Sequence, residues 1–159
     1  MSDLESRIQR LEDIEEIKQL KAEYCRYCDE GYIPDGIAGL YTEDGIWDGG
    51  TTFGRVEGRD AIRRHFQGAA KRISIARHQV MNPIITVDGD EATGHWLLFQ
   101  PCTDGPSGGA VWLAATYADI YRCEPDRWRI AETHIDIAFF TPYEKGWSEQ
   151  QFLTGREPS

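Results

Sequence analysis

Apolar residues recur every three or four positions through Leu4, Ile8, Leu11, Ile14, Ile17, Leu20 and Tyr24. That spacing lays one stripe along an α-helix. Ser2 and Glu5 form a capping-box pair at its start, and Gly31 supplies an end, so the pattern predicts one long helix with Tyr27, Cys28 and Asp29 in its last turn. Pro34, a good first-turn residue, opens a short second helix carrying Ile37, Leu40 and Tyr41 inward. A strand follows around Gly45-Ile46-Trp47-Asp48, Gly49-Gly50 turns it, and Thr51 to Val56 returns as a second strand. A third helix follows Gly58, with Ile62, Phe66 and Ala69 or Ala70 on one face.

The period then changes to that of longer strands. One runs from Ser74 to Val87, bent at Pro83. Asp88-Gly89-Asp90 turns it into a second, Glu91 to Gln100, and the Gly-rich loop from Asp104 to Gly109 leads to a third, Ala110 to Arg122. Glu124-Pro125-Asp126 turns into the last, Trp128 to Phe140. The order αα-ββ-α-ββββ predicts an α+β fold rather than a parallel doubly wound sheet. The expected form is a cone-shaped half-barrel: a curved, mixed but mostly antiparallel sheet wraps the N-terminal helices and leaves a pocket at its open end. A chain of 159 residues suggests one domain over 1–159. Its tail, 141–159, is expected to close the pocket or cover a neighbouring subunit.

Composition narrows the partners. A formal net charge of -10 argues against nucleic acid and against anionic membrane surfaces. No run of 18 apolar residues is present and the N-terminus is polar, so the expected location is cytoplasmic. Cys25 and Cys28 make a C-x-x-C, but inside a helical pattern and without a second pair, which reads as reduced, buried thiols. Gly105, Gly108 and Gly109 fit no phosphate-cradling pattern, and no G-x-S-x-G elbow exists.

Some polar residues stand out against this background. Asp29 closes the long helix where the dipole disfavours a carboxylate, so it calls for a cationic or hydrogen-bonding partner; taken alone it reads equally as a solvated turn aspartate. His78 falls within an apolar strand and needs partners at both ring nitrogens. A carboxylate such as Asp29 would fix its tautomer and leave the other nitrogen to take a proton. His95 lies on the neighbouring strand and His134 on the last, and alternation does not decide which of them face the pocket, because Pro83 can shift the register. Tyr24 lies near Asp29 on the helix and offers a hydroxyl to a developing oxyanion or as a general acid. No H-x-H or H-x-x-x-H spacing supports a metal, and no cofactor is expected. Trp47, Phe99, Trp112, Tyr117 and Phe139 fall on strands and suit a flat or cyclic apolar ligand, although most aromatics are core.

The runs Ile14-Glu15-Glu16-Ile17-Lys18-Gln19-Leu20, Leu40 to Trp47, Gly58-Arg59-Asp60-Ala61-Ile62, His78 to Ile85 and Asp88 to Ala92, with Tyr24, Asp29 and Trp128-Arg129-Ile130, resemble a family over nearly the whole chain. It is the SnoaL-like branch of the nuclear-transport-factor-two-like superfamily, which includes scytalone dehydratase, bile acid 7α-dehydratase and hexachlorocyclohexane dehydrochlorinase. The resemblance implies that Asp29 and His78 match an acid–base dyad, that Tyr24 matches a tyrosine placed over substrate, and that His95 matches a second pocket histidine. It also implies that Tyr41 and Trp47 line the cavity mouth and that the protein is a homo-oligomer, a dimer or trimer. Together with Phe99, Trp112, Tyr117 and His134 as pocket candidates, these residues suggest a cofactor-independent lyase. Its expected reaction is elimination of water, halide or formaldehyde from a small, largely apolar cyclic or aromatic substrate. The alternatives are a non-catalytic binding or assembly domain resembling the small subunit of ring-hydroxylating dioxygenases, or an isomerase or cyclase with the same machinery. An epoxide hydrolase would need a further acid and an arginine, for which Asp136, Glu132 and Arg77 are candidates.

Overall fold

In a computed structural model that describes residues 2–157, the chain forms an α+β cone. Helix α1 spans Asp3–Asp29 and is about 40 Å long at 1.5 Å per residue. Its start is the expected capping box: Ser2 Oγ accepts from Glu5 N, and Ser2 N donates to Glu5 Oε2. Helix α2 is Pro34–Gly39. Strand β1, Tyr41–Asp48, is followed by the helical turn α3, Gly50–Phe53, and by the short strand β2, Arg55–Glu57. The expected strand from Thr51 is therefore wrong over its first half: Gly50 at φ 62 starts a helical turn whose Phe53 packs against Phe140. Helices α4 (Arg59–Gln67) and α5 (Ala69–Arg72) precede strands β3 (Ile73–Ala76), β4 (Gln79–Asp88), β5 (Glu91–Asp104), β6 (Ala110–Cys123) and β7 (Trp128–Pro142).

The strands make one seven-stranded sheet in the order β2-β1-β7-β6-β5-β3, with β4 also paired to β5. Only β1 and β7 pair in parallel. The sheet curves round α1, and the two close on a core that includes Ile17, Leu20, Tyr24, Tyr121, Trp128 and Ile130. After β7 comes a last turn, α6 (Gly146–Glu149). The chain then lies beside β7 and parallel to it at Phe152, where Phe140 N donates to Gln151 O and Leu153 N to Phe140 O. No described helix is long and apolar enough to cross a membrane.

The apolar stripe of α1 is not one face. Leu4, Ile8 and Leu11 are exposed, whereas Ile17, Leu20 and Tyr24 are buried. From Ile8 to Leu20 the apolar residues step by three, and each such step falls about 60° short of a full turn. The stripe therefore winds from the outer face at Ile8 to the core at Ile17.

The expected strand from Ser74 to Val87 is also two strands, broken at Arg77-His78 as well as bulged between Met81 and Ile84, where Asn82 has φ 52. The break lies against Pro101 of β5, which has no N–H to give to the ladder. There Arg77 N donates to Pro101 O, and His78 N donates to Asp29 at the end of α1.

Beneath the sheet, Lys21 and Asp119 are buried as an ion pair at 2.7 Å. Tyr121 donates its hydroxyl to the same carboxylate oxygen, Trp96 Nε1 donates to Tyr121, and the ammonium lies 3.4 Å from the centre of the Tyr117 ring. A buried pair of this kind adds little net stability, but losing one partner strands a charge. Lys21→Met alone should destabilise the fold by about 3–5 kcal/mol in urea unfolding, and Lys21→Met with Asp119→Leu should cost less than the sum of the two single changes.

Candidate active site

The cone encloses a narrow cavity of about 60 Å³. Its walls are largely aromatic and aliphatic, with Trp47, Phe53, Phe66, Leu98, Leu113 and Ile135 contributed by four strands and two helices. The polar groups that reach it are Tyr24, Tyr32, His65, Arg72, His78, Gln100 and Tyr117.

His78 lines both this cavity and a surface groove that holds Asp29, Arg26 and Arg77. Its Nδ1 is 2.7 Å from Asp29 Oδ1, and its backbone N–H donates to both oxygens of the same carboxylate, at 3.0 and 3.2 Å. The imidazole side chain is 6% exposed and the carboxylate 23%. Asp29 thus sits behind the ring on the outer side, and the opposite edge, with Nε2, is left for the cavity. Because Asp29 is held by an N–H donor, the Nδ1–H tautomer is the one that bonds it. The last turn of α1 brings the carboxylate here, and the chain reverses immediately after it. Tyr32 stands in the left-handed region at φ 59, its N–H bonded to Cys28 O, and its ring packs edge-on to His78 and stacked on Phe66.

Tyr24 also reaches the cavity. Its hydroxyl accepts the indole N–H of Trp47 at 3.0 Å, and burial pushes its phenol well above the ordinary tyrosine range. Trp47 and Tyr117 line the wall as expected pocket residues. The other expected residues do not. Tyr41 is fully buried in the core beside the cavity, bonded to Thr133 Oγ1 at 2.9 Å. His95 is exposed on the outer face of β5, because the inward residues of that strand are Trp96, Leu98 and Gln100. Phe99 and Trp112 stack on each other on the same outer face, ring centres 5.2 Å apart. His134 is on the outer face of β7, bonded to Glu132 at 2.9 Å and near Asp48. The sheet separates all four from the cavity.

Four polar cavity residues escape the sequence reading: Tyr32, His65, Arg72 and Gln100. His65 had a signal, since it falls with Ile62, Phe66 and Ala69 on the face of the third helix already assigned inward. Its ring packs on Trp47, centres 4.6 Å apart, and Arg72 Nη2 lies 3.2 Å from its Nε2. Burial, with the Arg72 charge beside it, lowers its pKa to about 4. The four cysteines are free thiols, and burial raises Cys25 and Cys102 to about 12. Among the described residues no three His, Cys, Asp or Glu side chains gather as metal ligands.

The profile of the SnoaL-like domain matches residues 9–134. The chain belongs to this family. Solved structures of similar shape show the same fold. A candidate scytalone dehydratase from Novosphingobium aromaticivorans has a TM-score of 0.75 at 20% identity, over 84% of this chain and 89% of that one. The hexachlorocyclohexane dehydrochlorinase LinA-type3 of Novosphingobium barchaimii has a TM-score of 0.77 at 17% identity, over 86% and 93%. Rv3472 of Mycobacterium tuberculosis, a protein of unknown function, has a TM-score of 0.69 at 26% identity, over 82% and 75%. At the two lower identities the likeness shows the fold alone, and it is the cone with a curved sheet and N-terminal helices. No curated protein matches the chain.

His65 makes a pH prediction. Its folded pKa, about 4, lies below the unfolded value near 6.5, so the unfolded chain takes up the proton first as pH falls. Stability from the neutral ring is complete above pH ~6.5 and declines as pH approaches 4. Urea midpoints measured from pH 7 to 4 should drop more for the native chain than for His65→Gln.

Proposed function

We propose that this chain is a cofactor-independent acid–base lyase for a small, largely apolar cyclic or aromatic substrate, with Asp29 and His78 as its dyad. The observation that carries the reading is the 2.7 Å contact between the Asp29 carboxylate and His78 Nδ1, at the wall of an apolar cavity that His78 lines. Asp29 orients the ring and stabilises the imidazolium that forms when Nε2 removes a proton from a substrate carbon. The electron pair of that C–H bond becomes the new double bond, and the leaving group departs from the adjacent carbon with its bonding electrons. Tyr24 suits the leaving-group side. It is held as a neutral phenol, it already accepts from Trp47, and its own O–H remains a donor.

Elimination and isomerisation start with the same proton abstraction, so the family membership supports lyase or isomerase alike. Lyase is placed first because two of the similar structures carry the names of eliminating enzymes, a dehydratase and a dehydrochlorinase. The enzyme reading is preferred over a binding or assembly domain because a buried, carboxylate-held imidazole facing a cavity has a use in proton transfer that a scaffold does not need. Exposed Met81, Ile84 and Leu97 on the sheet's outer face support a homo-oligomer.

His78→Ala should lower kcat by about 100- to 10,000-fold, the usual contribution of a general base, with an unchanged circular dichroism spectrum. Asp29→Asn keeps an oxygen for the His78 backbone N–H but loses the charge behind the ring, and should also lower kcat by a large factor. Native rates in both variants, on a substrate found by screening halogenated and hydroxylated cyclic compounds for elimination, would defeat the dyad.

A further inference from the structure

The cavity contains a cation without a counter-charge. Of 27 Asp and Glu residues in the sequence, none lines it among the described residues. Arg72, at the end of α5, does line it. Its recorded contacts are both from Nη2: 3.2 Å to His65 Nε2 and 3.1 Å to His65 O. The buried carboxylate nearest in the ladder is Asp104, opposite Ile73, and it turns away to Ser107 and to Arg156. Nη1 and Nε of Arg72 are therefore left without a carboxylate in a wall that is mostly apolar. Arg72 is half-buried, so these N–H groups stay open to a molecule that enters the cavity.

Two neighbours point the same way. An arginine has no acceptor atom, so in the Arg72–His65 contact the guanidinium donates and His65 Nε2 accepts. The imidazole is then neutral, with its proton on Nδ1, and becomes a donor rather than a base. Gln100, on the inward face of β5, is 4% exposed and lines the same cavity. Its amide N–H₂ is a further donor. Guanidinium, imidazole N–H and amide N–H₂ on the wall of one cavity form a donor set that matches a carboxylate.

We propose that Arg72, His65 and Gln100 form a carboxylate-binding subsite, and that the substrate is an apolar ring carrying a carboxylate. This rests on the proposed function in taking the cavity as the substrate site, and it adds the group that orients the ring. Arg72 and His78 enter the cavity at opposite ends of β3, so the carboxylate is anchored away from the carbon that gives up its proton. Arg72 acts as a specificity residue and takes no part in proton transfer.

The test is calorimetric titration of the full chain at pH 7 with 2-naphthoate and with its neutral isostere 2-naphthamide. Naphthoate should bind about tenfold more tightly or better. Arg72→Met should remove that preference while leaving naphthamide affinity near native, which also reports that the variant is folded, and Arg72→Lys should keep part of it. His78→Ala should keep all of it. Equal affinities in the native chain, a preference that survives Arg72→Met, or no saturable naphthoate binding at millimolar concentration would each overturn the proposal. The native comparison needs no variant. Because affinity is read in a chain that lacks the imidazole, failure of the dyad shows in turnover and failure of the subsite shows here.

Discussion

The Asp29 carboxylate has to serve two chain segments at once. It terminates α1, where its charge opposes the helix dipole at a cost of roughly 0.3–1 kcal/mol. It also accepts three hydrogen bonds from His78, one from the ring and a bifurcated pair from the backbone N–H. Hydrogen bonds to a charged acceptor contribute about 1.5–3 kcal/mol each, so the second role outweighs the first. The bond does more than orient a ring. It also gives the His78 backbone N–H its partner, and it ties the end of the helix to the break between β3 and β4. The ring and backbone N–H of His78 and a carboxylate at a helix end form one arrangement. The cavity wall at His78 follows from it.

The same corner requires the chain to reverse sharply. Gly31 at φ 95 and Tyr32 at φ 59 both take left-handed backbone directly after α1. A glycine does so freely, but a tyrosine there costs energy, of order 1–3 kcal/mol. The cost is met by packing, since the Tyr32 ring stacks on Phe66 with centres 6.1 Å apart and is nearly buried. A less sharp turn would carry Tyr32 out of the wall, and His78 would lose the ring beside it. Strain at this position is thus tied to the enclosure of the imidazole.

How far the residues reveal this depends on whether a feature is local. The capping box, the Asp88-Gly89-Asp90 turn and the starts of the last strands are set by neighbouring residues, and they stand close to where the sequence puts them. The buried face of α1 was misread because three-residue steps look like one stripe on paper and precess on a real helix. The facing of β5 was open because both of its faces are apolar: Leu97 and Phe99 point out, Leu98 and Trp96 point in. Only the curvature of the whole sheet decides between them, and that decision sent His95 outward. Asp29 and His78 were suspected from their oddity within apolar surroundings. His65 was overlooked because an amphipathic helix hides an inward histidine among charged neighbours, Arg63, Arg64 and Arg72.

Net charge and local charge also separate here. The chain carries -10 overall, which viewed from a distance disfavours an anionic ligand. Yet exposed charges are screened over about 8 Å at physiological ionic strength, and charges within the wall are screened far less. Asp29 stands behind the His78 imidazole, in the outer groove, and presents no carboxylate to the cavity. If Asp29 lined the cavity instead, its charge would offset that of Arg72. Placing the carboxylate outside and the guanidinium inside lets an acidic protein keep a cavity of positive sign, and it is the sign inside that a bound molecule meets.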